Sequence, residues 1–132
     1  MQIKDVMTPC PHFIDSKASL QDAVKKMQLQ GIRHLPVVDQ GTLVGVLSEH
    51  GVQLSEMVCK ISGYCPTVGE ICAGDVYSVL EEALVADVTF EMAESKYDCA
   101  IVCDKDENVI GIFTTTDACR LVHLALRGEI PK

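Results

Sequence analysis

The feature that most constrains this chain is that its first half recurs, with residue types conserved, about 65 positions later. A shift of 65 lays Val6 on Ile71, Ile14 on Val79, Ala18 on Ala83, Leu20 on Val85, Met27 on Met92, Val37 on Val102 and Asp39 on Asp104. One extra residue then raises the shift to 66, so that Gly45 meets Gly111, Val46 meets Ile112, Leu47 meets Phe113 and Ser48 meets Thr114. Self-similarity over most of a 132-residue chain implies two like supersecondary units, each too small to bury its apolar face alone. The expected organisation is repeat 1 over 1–62, a linker over 63–67 and repeat 2 over 68–132.

Each unit reads as strand, helix, strand, strand, helix. In the first, Ser19 is a candidate N-cap, and Leu20, Ala23, Val24 and Met27 form one helical stripe that Gly31 ends. Leu35 to Val38 and Leu43 to Leu47 are short apolar runs joined by the polar turn Asp39-Gln40-Gly41-Thr42, a hairpin pattern. Leu54, Met57, Val58 and Ile61 repeat the helical spacing, and Ser62-Gly63-Tyr64-Cys65-Pro66 breaks the chain before the second unit. The closing helix, about Asp117 to Arg127, is apolar around more than half its circumference. Its stripe of Ala118, Leu121, Val122 and Ala125, with Leu124 and Leu126 beside it, exceeds what one core covers, which predicts a homodimer packed through helices.

Composition excludes several functions. A net charge of -8 works against phosphate-backbone binding, so nucleic acid is not an expected partner. The apolar runs are far shorter than the ~20 residues of a membrane span and the N-terminus lacks a signal pattern, which predicts a cytoplasmic protein without membrane contact. The seven cysteines, Cys10, Cys59, Cys65, Cys72, Cys99, Cys103 and Cys119, are odd in number and contain no C-x-x-C pair, so they read as free thiols serving as small hydrophobes. Cys99 and Cys103 lie four apart in a strand, too distant at ~3.3 Å per residue to share a metal. His12, His34, His50 and His123 are scattered, no Gly-rich phosphate loop is present and no nucleophile has an evident base. The chain is therefore expected to have no catalytic residues, no metal and no obligatory cofactor.

Gly31-Ile32-Arg33-His34-Leu35-Pro36-Val37-Val38-Asp39, then Val44-Gly45-Val46-Leu47-Ser48, resembles the signature of the cystathionine β-synthase (CBS) domain family. Val6-Met7-Thr8-Pro9 and Val109-Ile110-Gly111-Ile112-Phe113-Thr114-Thr115-Thr116-Asp117 agree with it. The resemblance implies an α/β (α+β) fold of two βαββα repeats packed face to face with pseudo-two-fold symmetry, a tandem pair or Bateman module. It also implies two clefts whose usual ligands are adenine nucleotides (AMP, ADP or ATP).

The residues supply a chemistry for such a ligand. Thr114 and Asp117 sit where a strand gives way to a helix, and an ionised Asp accepts hydrogen bonds from the two hydroxyls of a ribose. Thr114 and Thr116 can donate to a phosphate or sugar oxygen, helped by the positive end of the helix dipole. The same Thr114-x-x-Asp117 spacing is also a capping-box pattern that starts a helix, and both roles can coexist. Arg33 and His34 are, by resemblance, the basic residues that reach the phosphates, Arg33 as a fixed cation and His34 as a donor whose charge depends on pH; as an isolated pair they would read as solvated surface. The adenine is expected near Val76, Tyr77, Ala100 and Ile101, with Tyr77 either stacked on the base or packed beside the strand.

The repeats have diverged in complementary ways. Gly51 stands where the second repeat has Asp117, and Asp98 and Cys99 stand where the first has Arg33 and His34. If contacts cross between repeats, one cleft combines Asp117 with Arg33, and the other sets a carboxylate against a phosphate, which costs one to several kcal/mol. One working site per chain is expected. The functional expectation is a regulatory ligand sensor that shifts conformational populations and passes its output to a separate effector protein. A dimeric scaffold with an empty cleft, or a thiol or metal sensor using Cys72, Cys99 or Cys103, are the rival readings.

Overall fold

In a computed structural model of the chain, which describes residues 1–9, 12–72 and 74–130, helix α1 (Leu20–Gln30) starts where Ser19 accepts the Asp22 N–H at 3.1 Å. It stops where Gly31 turns left-handed at φ 64°, a conformation glycine adopts without steric cost. Strands β3 (His34–Asp39) and β4 (Thr42–Ser48) pair antiparallel through a two-residue turn. Its central residues Gln40 and Gly41 both have positive φ, at 51° and 81°, which matches the twist of a tight hairpin. β2 (Ile14–Asp15) pairs parallel with β3, completing a sheet ordered β2-β3-β4. With α2 (Glu49–Ser62) and the short α3 (Val68–Ile71), these elements form one compact unit, His12–Val76. Its core contains Ile14, Ala23, Met27, Leu35, Val37, Leu47, Val52 and Val68.

The second unit joins Met1–Pro11 to Tyr77–Lys132. It contains β1 (Thr8–Pro9), β5 (Ser78–Leu80), α4 (Val85–Ser95), β6 (Cys99–Cys103), β7 (Val109–Thr114) and α5 (Thr115–Leu126). Its sheet runs β1-β7-β6-β5, over a core of Ile3, Val88, Met92, Ala100, Val102 and Phe113. The repeat extends to irregularities: the hairpin register slips between Val37 and Val38 in one sheet and between Val102 and Cys103 in the other.

The compact units therefore do not coincide with the repeats read at 1–62 and 68–132. Each takes the body of one repeat and the opening of the other, and the exchange is reciprocal bond by bond. Ile3 N–H donates to Ala83 C=O at 2.7 Å and Lys4 N–H to Glu81 C=O at 3.1 Å. Sixty-five residues on, Val68 N–H donates to Ala18 C=O at 3.0 Å and Gly69 N–H to Ser16 C=O at 2.7 Å. Ile3 and Val68, the equivalent side chains, are fully buried in their respective cores.

Two features depart from the sequence expectation. The apolar stripe of α2 faces outward: Leu54, Met57, Val58 and Ile61 are all exposed. The helix turns Val52, Ser55, Glu56 and Cys59 inward instead, a second i, i+3, i+4, i+7 set of which only Val52 is fully buried. Cys59 and Cys65, expected as free thiols, form a disulfide with their Cα atoms 4.6 Å apart. The cause is local: Gly63 ends α2 in a left-handed turn at φ 77°, which folds the chain back so that Cys65 meets the last turn of the helix. Cys72, Cys99, Cys103 and Cys119 are free, and Cys10 lies outside the described residues. No described helix is long and apolar enough to cross a membrane.

Candidate functional site

β7 ends at Thr114, whose extended backbone and side chain make it the N-cap of α5. Thr114 Oγ1 accepts the Asp117 N–H at 3.4 Å, while the Thr114 N–H and hydroxyl donate to Asp117 Oδ2 at 2.9 and 3.2 Å. This is the capping box the spacing allowed, and it fixes the carboxylate at the sheet end. Helix capping does not exhaust it. Thr8 Oγ1, from the opening of the first repeat, donates to Asp117 Oδ1 at 2.9 Å, and Arg120 Nη1 donates to the same oxygen at 3.0 Å. Asp117 is only 5% exposed and is the buried charged side chain among the described residues.

Each acceptor position of this buried carboxylate meets a donor, and Arg120 sets a guanidinium against it. Chemically the turn offers a fixed acceptor, the hydroxyls of Thr8, Thr114 and Thr116, and the amide end of a helix. Thr116 is exposed on the first turn of α5. Thr115 N–H closes the geometry by donating to Asp98 C=O at 3.1 Å.

The other sequence-selected residues are distributed over the two units. Tyr77 opens the Tyr77–Lys132 stretch, its C=O accepting the Ile101 N–H at 2.8 Å and its ring stacking on Tyr97 with centroids 5.0 Å apart. Burial first, then the charges of Glu91 and Asp87 and the neighbouring Tyr97, hold the Tyr77 phenol above its ordinary value. Ala100 and Ile101 are fully buried in the interior strand β6, where Ala100 faces Phe113 and Ile101 faces Ile112. Val76, Arg33 and His34 belong to the other unit. There Arg33 is exposed and its C=O accepts the Glu49 N–H at 2.8 Å, while His34 opens β3 opposite Ser48. The Arg33–Glu49 bond is the counterpart of the Asp98–Thr115 bond, so each turn sits beside the residue at its own repeat's 33 or 98 position.

The sequence reading missed Thr8 and Arg120 as part of this site. Arg120 had a legible signal, three residues after Asp117 on the same helical face. Thr8 had none, because its contact spans 109 residues. Burial raises the thiols of Cys72, Cys99 and Cys103, with Cys99 pushed up to about 11 by burial and then by the charge of Asp98. Among the described residues, no group of three or more His, Cys, Asp or Glu side chains is arranged to hold a metal.

The CBS domain model matches residues 3–52 and 68–124, well over half the chain. This chain belongs to the CBS domain family. L-aspartate semialdehyde sulfurtransferase of Methanocaldococcus jannaschii is 29% identical to this CBS pair over 120 residues, 90% of this chain and 23% of that protein. The chain thus spans about a quarter of that relative's length. Among solved structures, CBSX2 of Arabidopsis thaliana in complex with AMP matches at 26% identity and a TM-score of 0.77, covering 96% of this chain and 98% of that one. The CBS domain pair of protein MJ0100, in complex with 5′-methylthioadenosine and S-adenosyl-L-methionine, matches at 27% identity and a TM-score of 0.80, covering 93% of this chain and 96% of that one.

Proposed function

We propose that this CBS pair is a non-catalytic regulatory module that binds an adenosine-containing ligand, AMP, ADP or ATP foremost, and signals to a partner protein in trans. The observation that carries this reading is the Asp117 carboxylate, buried at a strand-to-helix turn and bonded to more groups than a helix start requires. Its oxygens accept what a ribose diol donates. In this reading Thr114 and Thr116 meet sugar or phosphate oxygens and Tyr77, Ala100 and Ile101 lie on the adenine side, all within the Tyr77–Lys132 unit, while Arg33, His34 and Val76 belong to the other unit. The AMP of CBSX2 and the adenosyl ligands of MJ0100 support the ligand class. One ligand per chain is proposed, because Gly51 gives the first repeat no acceptor where Asp117 stands.

The exposed stripes of α2 and α5, including Met57, Ile61, Val122 and Leu126, support a homodimer formed through these helices. The working setting is proposed as cytoplasmic. A thiol-sensing role draws no support from Cys72, Cys99 and Cys103, whose thiols burial shifts upward, away from the thiolate form that reacts. In a thermal-shift panel AMP is expected to raise the melting temperature of the native chain and not of Asp117→Ala. Equal stabilisation of both, with Asp117→Ala still folded by circular dichroism, would remove Asp117 from the site.

A further inference from the structure

A carboxylate has about four acceptor positions, and Asp117 uses four. The two at Oδ2 are taken by Thr114 and start the helix, so they stay when a ligand binds. The two at Oδ1 are taken by side chains from outside the capping box, Thr8 at 2.9 Å and Arg120 at 3.0 Å. Thr8 is exposed and the Arg120 side chain is 63% exposed, so both approach from the solvent side. A ribose diol brings two O–H donors, and the two donors it can replace are these.

Displacing Arg120 has a consequence for selectivity. Its guanidinium keeps its charge once released and is rooted one helical turn from Asp117 on α5. The turn is otherwise acidic: Asp98, exposed, lies against it through the Thr115 bond, and the chain as a whole carries a charge of -8. An anionic ligand would meet repulsion here unless a cation faced it. Arg120 is the cationic side chain that the structure bonds to the turn.

We propose that Arg120 is a specificity-determining residue of this site: the guanidinium that bonds Asp117 in this structure turns to the anionic 5′ substituent when a ribose takes its place. The site thereby favours adenosine phosphates over neutral adenosyl compounds. This rests on the adenosyl reading above and names what within that class is selected. A planar donor fork suits a phosphate, and the amino end of α5 adds to the attraction.

The test is calorimetric titration of the native chain, Arg120→Gln and Arg120→Lys with AMP and with 5′-methylthioadenosine. The native chain is expected to bind AMP at least ~10-fold more tightly than 5′-methylthioadenosine, the size of one charge-assisted contact. Arg120→Gln is expected to lose about 10-fold in AMP affinity while 5′-methylthioadenosine binds as well or better, its competitor for Asp117 being gone. Arg120→Lys is expected to fall between. Arg120→Gln weakening both ligands equally, or leaving AMP unchanged, overturns the assignment while the adenosyl reading stands. A native chain that binds neither compound overturns both.

Discussion

At the end of β4, Ser48 Oγ accepts the Gly51 N–H at 3.0 Å and α2 begins with no carboxylate at that position. At the end of β7, Thr114 caps α5 in the same way, yet Asp117 is added, and with it bonds to Thr8 and Arg120. The first turn demonstrates that a hydroxyl alone starts a helix in this setting. Helix capping therefore accounts for what the two turns share and for the Asp117–Thr114 box, and the two extra partners of Asp117 Oδ1 are what the proposed ligand role rests on. A second contrast follows the same logic. The exposed stripe on α2, Leu54, Met57, Val58 and Ile61, is more apolar than the face the helix buries, and the proposed helix-mediated homodimer rests on it.

The two turns differ most in what each contributes to stability. Asp117→Ala leaves the Thr8 and Thr114 hydroxyls, the Thr114 N–H and Arg120 without their acceptor, and the expected loss is about 2–3 kcal/mol in urea denaturation. Ser48→Ala removes one capping bond and is expected to cost about 1 kcal/mol. Equal losses at the two sites would reduce Asp117 to a helix cap.

A smaller effect comes from the ends of the first helix in each repeat. α1 stops at Gly31 with φ 64°, whereas α4 stops at Lys96 with φ 58°, a left-handed conformation that costs any residue with a Cβ. Lys96→Gly is expected to stabilise the chain by about 0.5 kcal/mol, and Gly31→Lys to destabilise it by about 1 kcal/mol. Both are read from the denaturation midpoint, and a destabilising Lys96→Gly would mean that the lysine side chain makes a contact worth more than the strain.

Local chemistry made much of the fold legible. The Ser19 cap, the Gly31 stop, the Gln40-Gly41 hairpin turn and the Thr114-Asp117 box each depend on neighbours within four residues, and each formed as read. What failed to appear depends on partners far away in sequence. Nothing near Ile3 or Val68 announces that each anchors on the other repeat's strand-to-helix turn, because those bonds are between backbone groups. The orientation of α2 was hidden for a different reason: two stripes share its spacing, and the more apolar one is the one left outside. Cys59 and Cys65 pair through a turn whose left-handed glycine is visible but whose hairpin-like return is not. At the site, the acceptor and its cap were readable, and the groups bonded to its outer oxygen were readable only on the same helix.

Of the two turns, the one at Asp117 is proposed to recognise a ligand. Isothermal titration of the native chain with AMP tests it most directly, through the number of sites per chain. The account predicts one, lost in Asp117→Ala; two equivalent sites, or no binding at all, would contradict it.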